Sequence, residues 1–130
     1  MSKSQRVKGA AWERAVANLF AAMWPNAARG IGQARSGSEV PDVQGTPFWV
    51  EAKHRKRQCA LAALQQAERA RRPGYVAALA VIKIDREKPY VAMWLDEFLD
   101  ILEAMHFSEE STCSGTRDCV TSVTEVSDEQ

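Results

Sequence analysis

A chain of 130 residues, 45% apolar and 26% charged, is long enough for one compact core and too short for two ordinary domains. That composition excludes a disordered polyelectrolyte, and its longest apolar run, Tyr75 to Ile82, falls well below the roughly 20 residues of a membrane helix. The net charge of zero hides an asymmetry: residues 1–88 carry 16 Lys/Arg against 7 Asp/Glu, a net of +9, and residues 89–130 carry 1 against 10, a net of −9. A basic body suits a polyanionic partner, because neutralising phosphates releases counterions, although solvated surface charge gives the same count.

In chain order, the polar start Met1 to Arg6 leads into no signal-like apolar region, so a cytoplasmic protein with no membrane partner is expected. From Gln5 to Trp24 the spacing of Trp12, Val16, Leu19, Phe20 and Met23 predicts a helix with one apolar stripe, ended by Pro25-Asn26. Arg29 to Arg35 reads as a short strand, and Ser36-Gly37-Ser38 as a turn. Val40 to Gln44 and Thr46 to Lys53 read as strands of a hairpin turning near Gly45. A second helix is expected from Gln58 to Arg71, stopped by Arg72-Pro73-Gly74. Tyr75 to Ile84 suits a buried strand and Tyr90 to Trp94 a further one, with a charged turn between them. A last amphipathic helix, Leu95 to Phe107, carries Phe98, Leu99, Ile101, Leu102 and Met105.

This order predicts an α/β fold with a mixed central sheet flanked by helices, occupying residues 1–107. Residues 108–130 hold 9 Ser/Thr and a net charge of −5, which predicts a flexible acidic tail; Val120 to Val126 has the β-branched content of an extra strand. Cys59, Cys113 and Cys119 are an odd count without paired spacing. Neither a disulfide framework nor a zinc site with His54 or His106 is expected.

The chemistry-bearing stretch is Ser36-Gly37-Ser38-Glu39-Val40-Pro41-Asp42, followed by Glu51-Ala52-Lys53. Alternation along a strand puts Glu51 and Lys53 on one face, about 7 Å apart, together with Trp49; Phe48, Val50 and Ala52 point the other way into the core. A turn near Gly45 can bring Asp42 beside Glu51. Two adjacent carboxylates repel unless a cation lies between them, and all-oxygen ligands suit Mg²⁺ or Mn²⁺. A neighbouring lysine can orient the attacking water and offset charge on phosphoryl oxygens. A carboxylate two residues before a lysine arises by chance on the order of once in a chain of this composition. The pattern gains weight only from its context: the polar end of an apolar strand, with Pro-Asp a hairpin's length upstream.

These residues resemble the PD-(D/E)XK nuclease superfamily, with Pro41-Asp42 and Glu51-Ala52-Lys53 as its two signature pieces. More narrowly, the layout is similar to archaeal-type Holliday-junction resolvases, which combine a first-helix glutamate, an arginine- and serine-bearing loop and a glutamine-containing later helix. Glu13, the loop Arg35-Ser36-Gly37-Ser38, and Gln65 or Gln66 match those features, Gln66 being slightly favoured, over a span from Lys8 to Trp94. Glu39-Val40 before the PD departs from the resolvase pattern, which weakens the junction assignment and leaves the nuclease chemistry untouched. The resemblance implies a restriction-endonuclease-like core with Asp42, Glu51 and the Ala52 carbonyl as metal ligands. It further implies Lys53 as the catalytic lysine, Glu13 as an additional metal-shell carboxylate, and Ser38 against the scissile phosphate.

Arg55, Lys56 and Arg57 after the strand, with Arg69 and Arg72 closing the next helix, would form a DNA-backbone track joined by Arg35, Ser36, Ser38 and Gln66. Each has an ordinary alternative: Glu13 as a solvated helix residue, the serines as turn formers, the later arginines as complements to a helix C-terminus. The expected function is a Mg²⁺- or Mn²⁺-dependent DNA endonuclease acting on branched DNA such as four-way junctions. A homodimer would supply two symmetric cuts. The alternatives are a nuclease without junction selectivity, on duplex or single strands, and a non-catalytic DNA-binding protein.

Overall fold

The computed structural model describes residues 2–31 and 39–112. The first helix, α1 (Lys3–Phe20), starts at a reciprocal cap. The Ser2 hydroxyl accepts from the Gln5 N–H, and the Gln5 side chain accepts from the Ser2 N–H. It ends at Phe20 rather than Trp24, and turns carry the chain to Trp24, whose N–H donates to the Phe20 carbonyl. Val16 and Ala17 are buried and Trp12 and Phe20 pack beside them, whereas Leu19 and Met23 are exposed at 69% and 74%. The expected stripe is thus rotated. At about 100° per residue the buried face centres between Val16 and Ala17, Leu19 falls at its edge, and Met23 lies past the last helical turn. The same rotation carries Glu13 from the flank of the stripe to its middle.

Five strands follow: β1 (Ala28–Arg29), β2 (Val43–Gln44), β3 (Phe48–Arg55), β4 (Ala77–Ile84) and β5 (Tyr90–Ala92). They form one sheet in the order β1-β2-β3-β4-β5. Neighbours pair antiparallel except β3 and β4, which run parallel along their whole length, from Phe48 opposite Ala77 to Arg55 opposite Ile84. That parallel pair needs a crossover, supplied by α2 (Ala60–Ala70). The Gln58 side-chain carbonyl accepts from the Cys59 and Ala60 N–H groups at the start of α2 and from the Tyr90 hydroxyl.

The fold is therefore α/β, with a mixed sheet between helices. On one face Val16 and Ala17 of α1 pack on Val43, Val50, Ala52, Leu79 and Val81. On the other, Ala63, Leu64 and Ala67 of α2 pack on Trp49, Ala78, Ala80 and Ile82. Burial on both faces explains why β4 reads as a continuous apolar run. The expected hairpin exists, but β2 is two residues long and pairs with β3 through Val43 opposite Val50; β1 spans Ala28–Arg29 where a strand from Arg29 to Arg35 was expected, and residues 32–38 lie outside the described part.

Residues 1–94 form one compact unit, and a second begins at Leu95. Its described part is α3 (Leu95–Thr112), opened by Asp96 and Glu97, which favour a helix N-terminus. The helix runs past Phe107 into the segment expected to be a flexible tail. Adding a residue to a formed helix costs little, and the Ser108 hydroxyl donates back to the Ala104 carbonyl. The remainder of that tail, including Val120 to Val126, lies outside the described residues. No described helix is long and apolar enough to cross a membrane.

Candidate functional site

The β2–β3 hairpin places the first carboxylate. Gly45 turns it at φ +86°, and a side chain there would meet the Asn26 carbonyl oxygen at 2.4 Å, so glycine is required on both counts. Just before β2, the Asp42 N–H donates to the Val50 carbonyl (2.8 Å), and the Asp42 carbonyl accepts from the Gly30 N–H (2.8 Å). A side chain at residue 30 would sit 2.0 Å from the Pro41 oxygen, so this close approach also depends on glycine. With its backbone held on both sides, Asp42 accepts at Oδ2 from the Ala52 N–H (2.9 Å).

From β3, Trp49, Glu51 and Lys53 point to one face, as the alternation predicts. That face is covered too: Trp49 is fully buried, with its ring edge-on to Tyr75 and α2 over it. Trp49 is consequently a core residue. Glu51 follows it and is the one buried charged residue among those described, at 7% exposure. An isolated buried carboxylate is costly, and Lys53 compensates it with Nζ 2.8 Å from Oε1. From α1, Glu13 Oε2 accepts from Arg29 Nε at 2.6 Å.

These groups share one cleft of about 390 Å³. Asp42, Glu51, Ala52 and Lys53 line it with Glu13, Arg29, Arg55 and Gln66, and Gly9 and Ala10 leave the α1 wall open. At roughly 30 Å³ per water, it has room for about a dozen waters, or for a phosphate group with a hydrated ion. Burial first, and the Glu51 and Glu13 charges after it, push the Asp42 carboxyl from its ordinary 3.8 up to about 7, against the lowering effects of the Ala52 N–H and Lys53. Lys53 is paired with Glu51 and Arg29 with Glu13, while Asp42 is held by the Ala52 N–H; Arg6 and Arg55 complete the charged lining among the described residues.

The structure brings Asp42, Glu51, Ala52, Lys53, Glu13, Arg55 and Gln66 together, and of the two glutamines it is Gln66 that lines the cleft. Lys56 and Arg57 lie exposed in the turn after β3, lining a neighbouring cleft with Arg55. Arg69 and Arg72 are exposed around the end of α2. Arg35, Ser36 and Ser38 fall outside the described residues. His54 points to the opposite side of the sheet from Lys53. Its Nε2 lies 2.9 Å from Asp85 Oδ1, which Lys8 Nζ also reaches at 2.9 Å.

Sequence reasoning missed Arg29, which reads only as the start of a strand, and Gln5. The latter had a signal: Gln5, Gly9 and Glu13 recur at four-residue steps on one side of α1. No family model matches the chain, and no curated protein or solved structure does either.

Proposed function

We propose that the chain is a metal-dependent endodeoxyribonuclease of the PD-(D/E)XK type, acting as a homodimer on branched DNA such as four-way junctions. The observation that carries this reading is the convergence of Asp42, Glu51 and Lys53, from adjoining parts of one hairpin, on a single open cleft. The order helix, three antiparallel strands, helix, parallel strand supports a restriction-endonuclease-like core.

The donor set fits a hard divalent cation. Among the described residues no three His, Cys, Asp or Glu side chains are grouped to hold an ion. Mg²⁺ commonly takes only one or two carboxylates from a protein and completes its shell with water and substrate phosphate. Asp42 and Glu51 would hold it with the Ala52 carbonyl. A strand residue's N–H and C=O leave the same edge, and the Ala52 N–H already meets Asp42. Such an ion, when bound, acidifies water and draws charge from the phosphoryl oxygens.

The chain's own groups do the rest. Lys53 presents an ammonium beside Glu51, where it positions the attacking water and offsets charge on the non-bridging oxygens. Gln66 offers an amide to the phosphate, while Glu13, fixed by Arg29, adds negative charge at the metal side of the cleft. Hydrolysis breaks one phosphorus–oxygen bond to sugar and forms one to water. A twofold dimer presents two equivalent clefts, as paired cuts across a junction require.

The test compares cleavage of a synthetic four-way junction with that of linear duplex of equal length, in Mg²⁺, Mn²⁺ and EDTA. Preferential nicking of the junction, dependent on metal and lost in Asp42→Asn and Glu51→Gln, is expected. Equal cutting of both substrates would remove junction selectivity, and metal-independent binding without cutting would leave only a DNA-binding protein.

A further inference from the structure

Beside the carboxylate cleft lies a second one, of about 500 Å³, between the first turns of α1 and the chain leaving β3. The two are continuous, because Gln5 and Arg55 line both. Their charges differ. The first mixes three carboxylates, Glu13, Asp42 and Glu51, with Arg6, Arg29, Lys53 and Arg55; the second is lined by Lys8, His54, Arg55, Lys56 and Arg57, with no carboxylate among the described residues of its wall. Asp85 stands behind that wall, tying Lys8 and His54 together through one oxygen. Among the described residues Lys56 and Arg57 have no carboxylate partner, and both are exposed.

We propose that this second cleft binds the phosphate adjacent to the cut on the same DNA strand, fixing which bond is presented to Asp42 and Glu51. The inference rests on the nuclease reading for the position of the cut. Strand geometry sets the spacing. Glu51, Lys53 and Arg55 occupy one face of β3 at about 7 Å steps, so Arg55, which lines both clefts, stands one step beyond Lys53 and two beyond Glu51. A backbone whose scissile phosphate lies at the carboxylates therefore continues past Arg55 into a wall of cations. Phosphate contacts of this kind fix register without reading sequence, which suits an enzyme that recognises branching rather than bases.

The experiment measures binding of the full chain to DNA carrying a defined cut site, in EDTA, as a function of salt. Each phosphate neutralised contributes about 0.7 to 0.9 to the slope of log affinity against log salt. Lys56→Gln/Arg57→Gln is expected to lower that slope by about 0.7 to 0.9, the share of one phosphate, and to weaken binding about tenfold at low salt. Placing a neutral methylphosphonate next to the cut should weaken the parent and leave the double variant unaffected, since both remove the same contact. Asp85→Asn, which releases Lys8 and His54 from a neighbouring negative charge, should shift binding in the opposite direction. An unchanged slope in a parent that cuts DNA overturns the second cleft and leaves the nuclease standing. A lowered slope in a protein that cuts nothing, in Mg²⁺ or Mn²⁺, keeps the phosphate site and removes the nuclease reading. Equal sensitivity of parent and variant to the methylphosphonate places the basic wall elsewhere on the DNA and refutes the assignment.

Discussion

Asp42→Asn tests the electrostatics of the cleft without any substrate. In the folded, metal-free protein, burial and the neighbouring Glu51 charge raise this carboxyl from 3.8 to about 7. The native state thus binds the Asp42 proton more tightly than the unfolded chain does. The resulting stability is complete below the unfolded value near 3.8 and is lost as pH rises through about 7. Between about pH 5 and about pH 8 the loss runs over about two pH units, at about 1.4 kcal/mol each, so about 3 kcal/mol at most. Solvent in the open cleft screens part of it, which brings the expected loss to about 2 kcal/mol. Asparagine cannot ionise, yet its side-chain oxygen can still accept from the Ala52 N–H. Urea unfolding followed by circular dichroism, in EDTA at the two pH values, should show the wild type losing that amount relative to the variant. Other titrating groups cancel in the difference. Mg²⁺ added at the higher pH should stabilise the wild type by binding the native state and have little effect on the variant. Parallel stability–pH curves for the two proteins, or equal stabilisation of both by Mg²⁺, would refute the picture of a carboxyl raised by burial and by the Glu51 charge.

Three further outcomes are expected. Lys53→Met leaves the buried Glu51 without its cation and should cost about 3 kcal/mol, most of it recovered in Lys53→Met/Glu51→Gln; denaturant unfolding of the four proteins of that cycle decides it. Gly45→Ala should destabilise by more than about 2 kcal/mol, because it combines a positive φ with a contact at 2.4 Å to the Asn26 oxygen; thermal unfolding reads this directly. Gly9→Ala should instead stabilise by about 0.5 to 1 kcal/mol, since an added Cβ meets nothing within 4 Å and alanine suits a helix interior better. A loss of stability there would mean that the α1 wall is more crowded than its geometry indicates.

The sheet was most legible where local pattern and tertiary burial agree. The continuous run Ala77–Ile84 announces a strand covered on both sides, and Gly45 announces the hairpin. Legibility fell at β1 and β2, two residues each, which are too short for a periodic pattern and pair across distant parts of the chain. Alternation correctly grouped Trp49 with Glu51 and Lys53. It could not say that α2 covers that face, because period two reports which residues share a side and not what lies over them. The helix from Leu95 was placed correctly at its start, which polar first-turn residues mark. Its end was misplaced, since Ser108 bonds back to the helix rather than stopping it.

Within the site, legibility follows chain distance. Asp42, Glu51 and Lys53 lie within one hairpin, so the motif and the structure describe the same local unit. Glu13 is different. From the helical pattern alone it flanks the apolar stripe, an unremarkable place for a solvated carboxylate. What turns it toward the sheet is the rotation of α1 that buries Ala17, and what holds it there is Arg29, from a strand of two residues with no periodic signature. A carboxylate facing a sheet that already holds Asp42 and Glu51 adds to their repulsion, and Glu13 does contribute to the rise of the Asp42 carboxyl. Among the described residues Arg29 pairs with Glu13 and Lys53 with Glu51, while Asp42 is held by the Ala52 N–H, with Arg6 and Arg55 also lining the cleft. The raised Asp42 carboxyl gathers the charges of Glu13 from α1 and Glu51 from β3, and it could not have been read from any single segment of the chain.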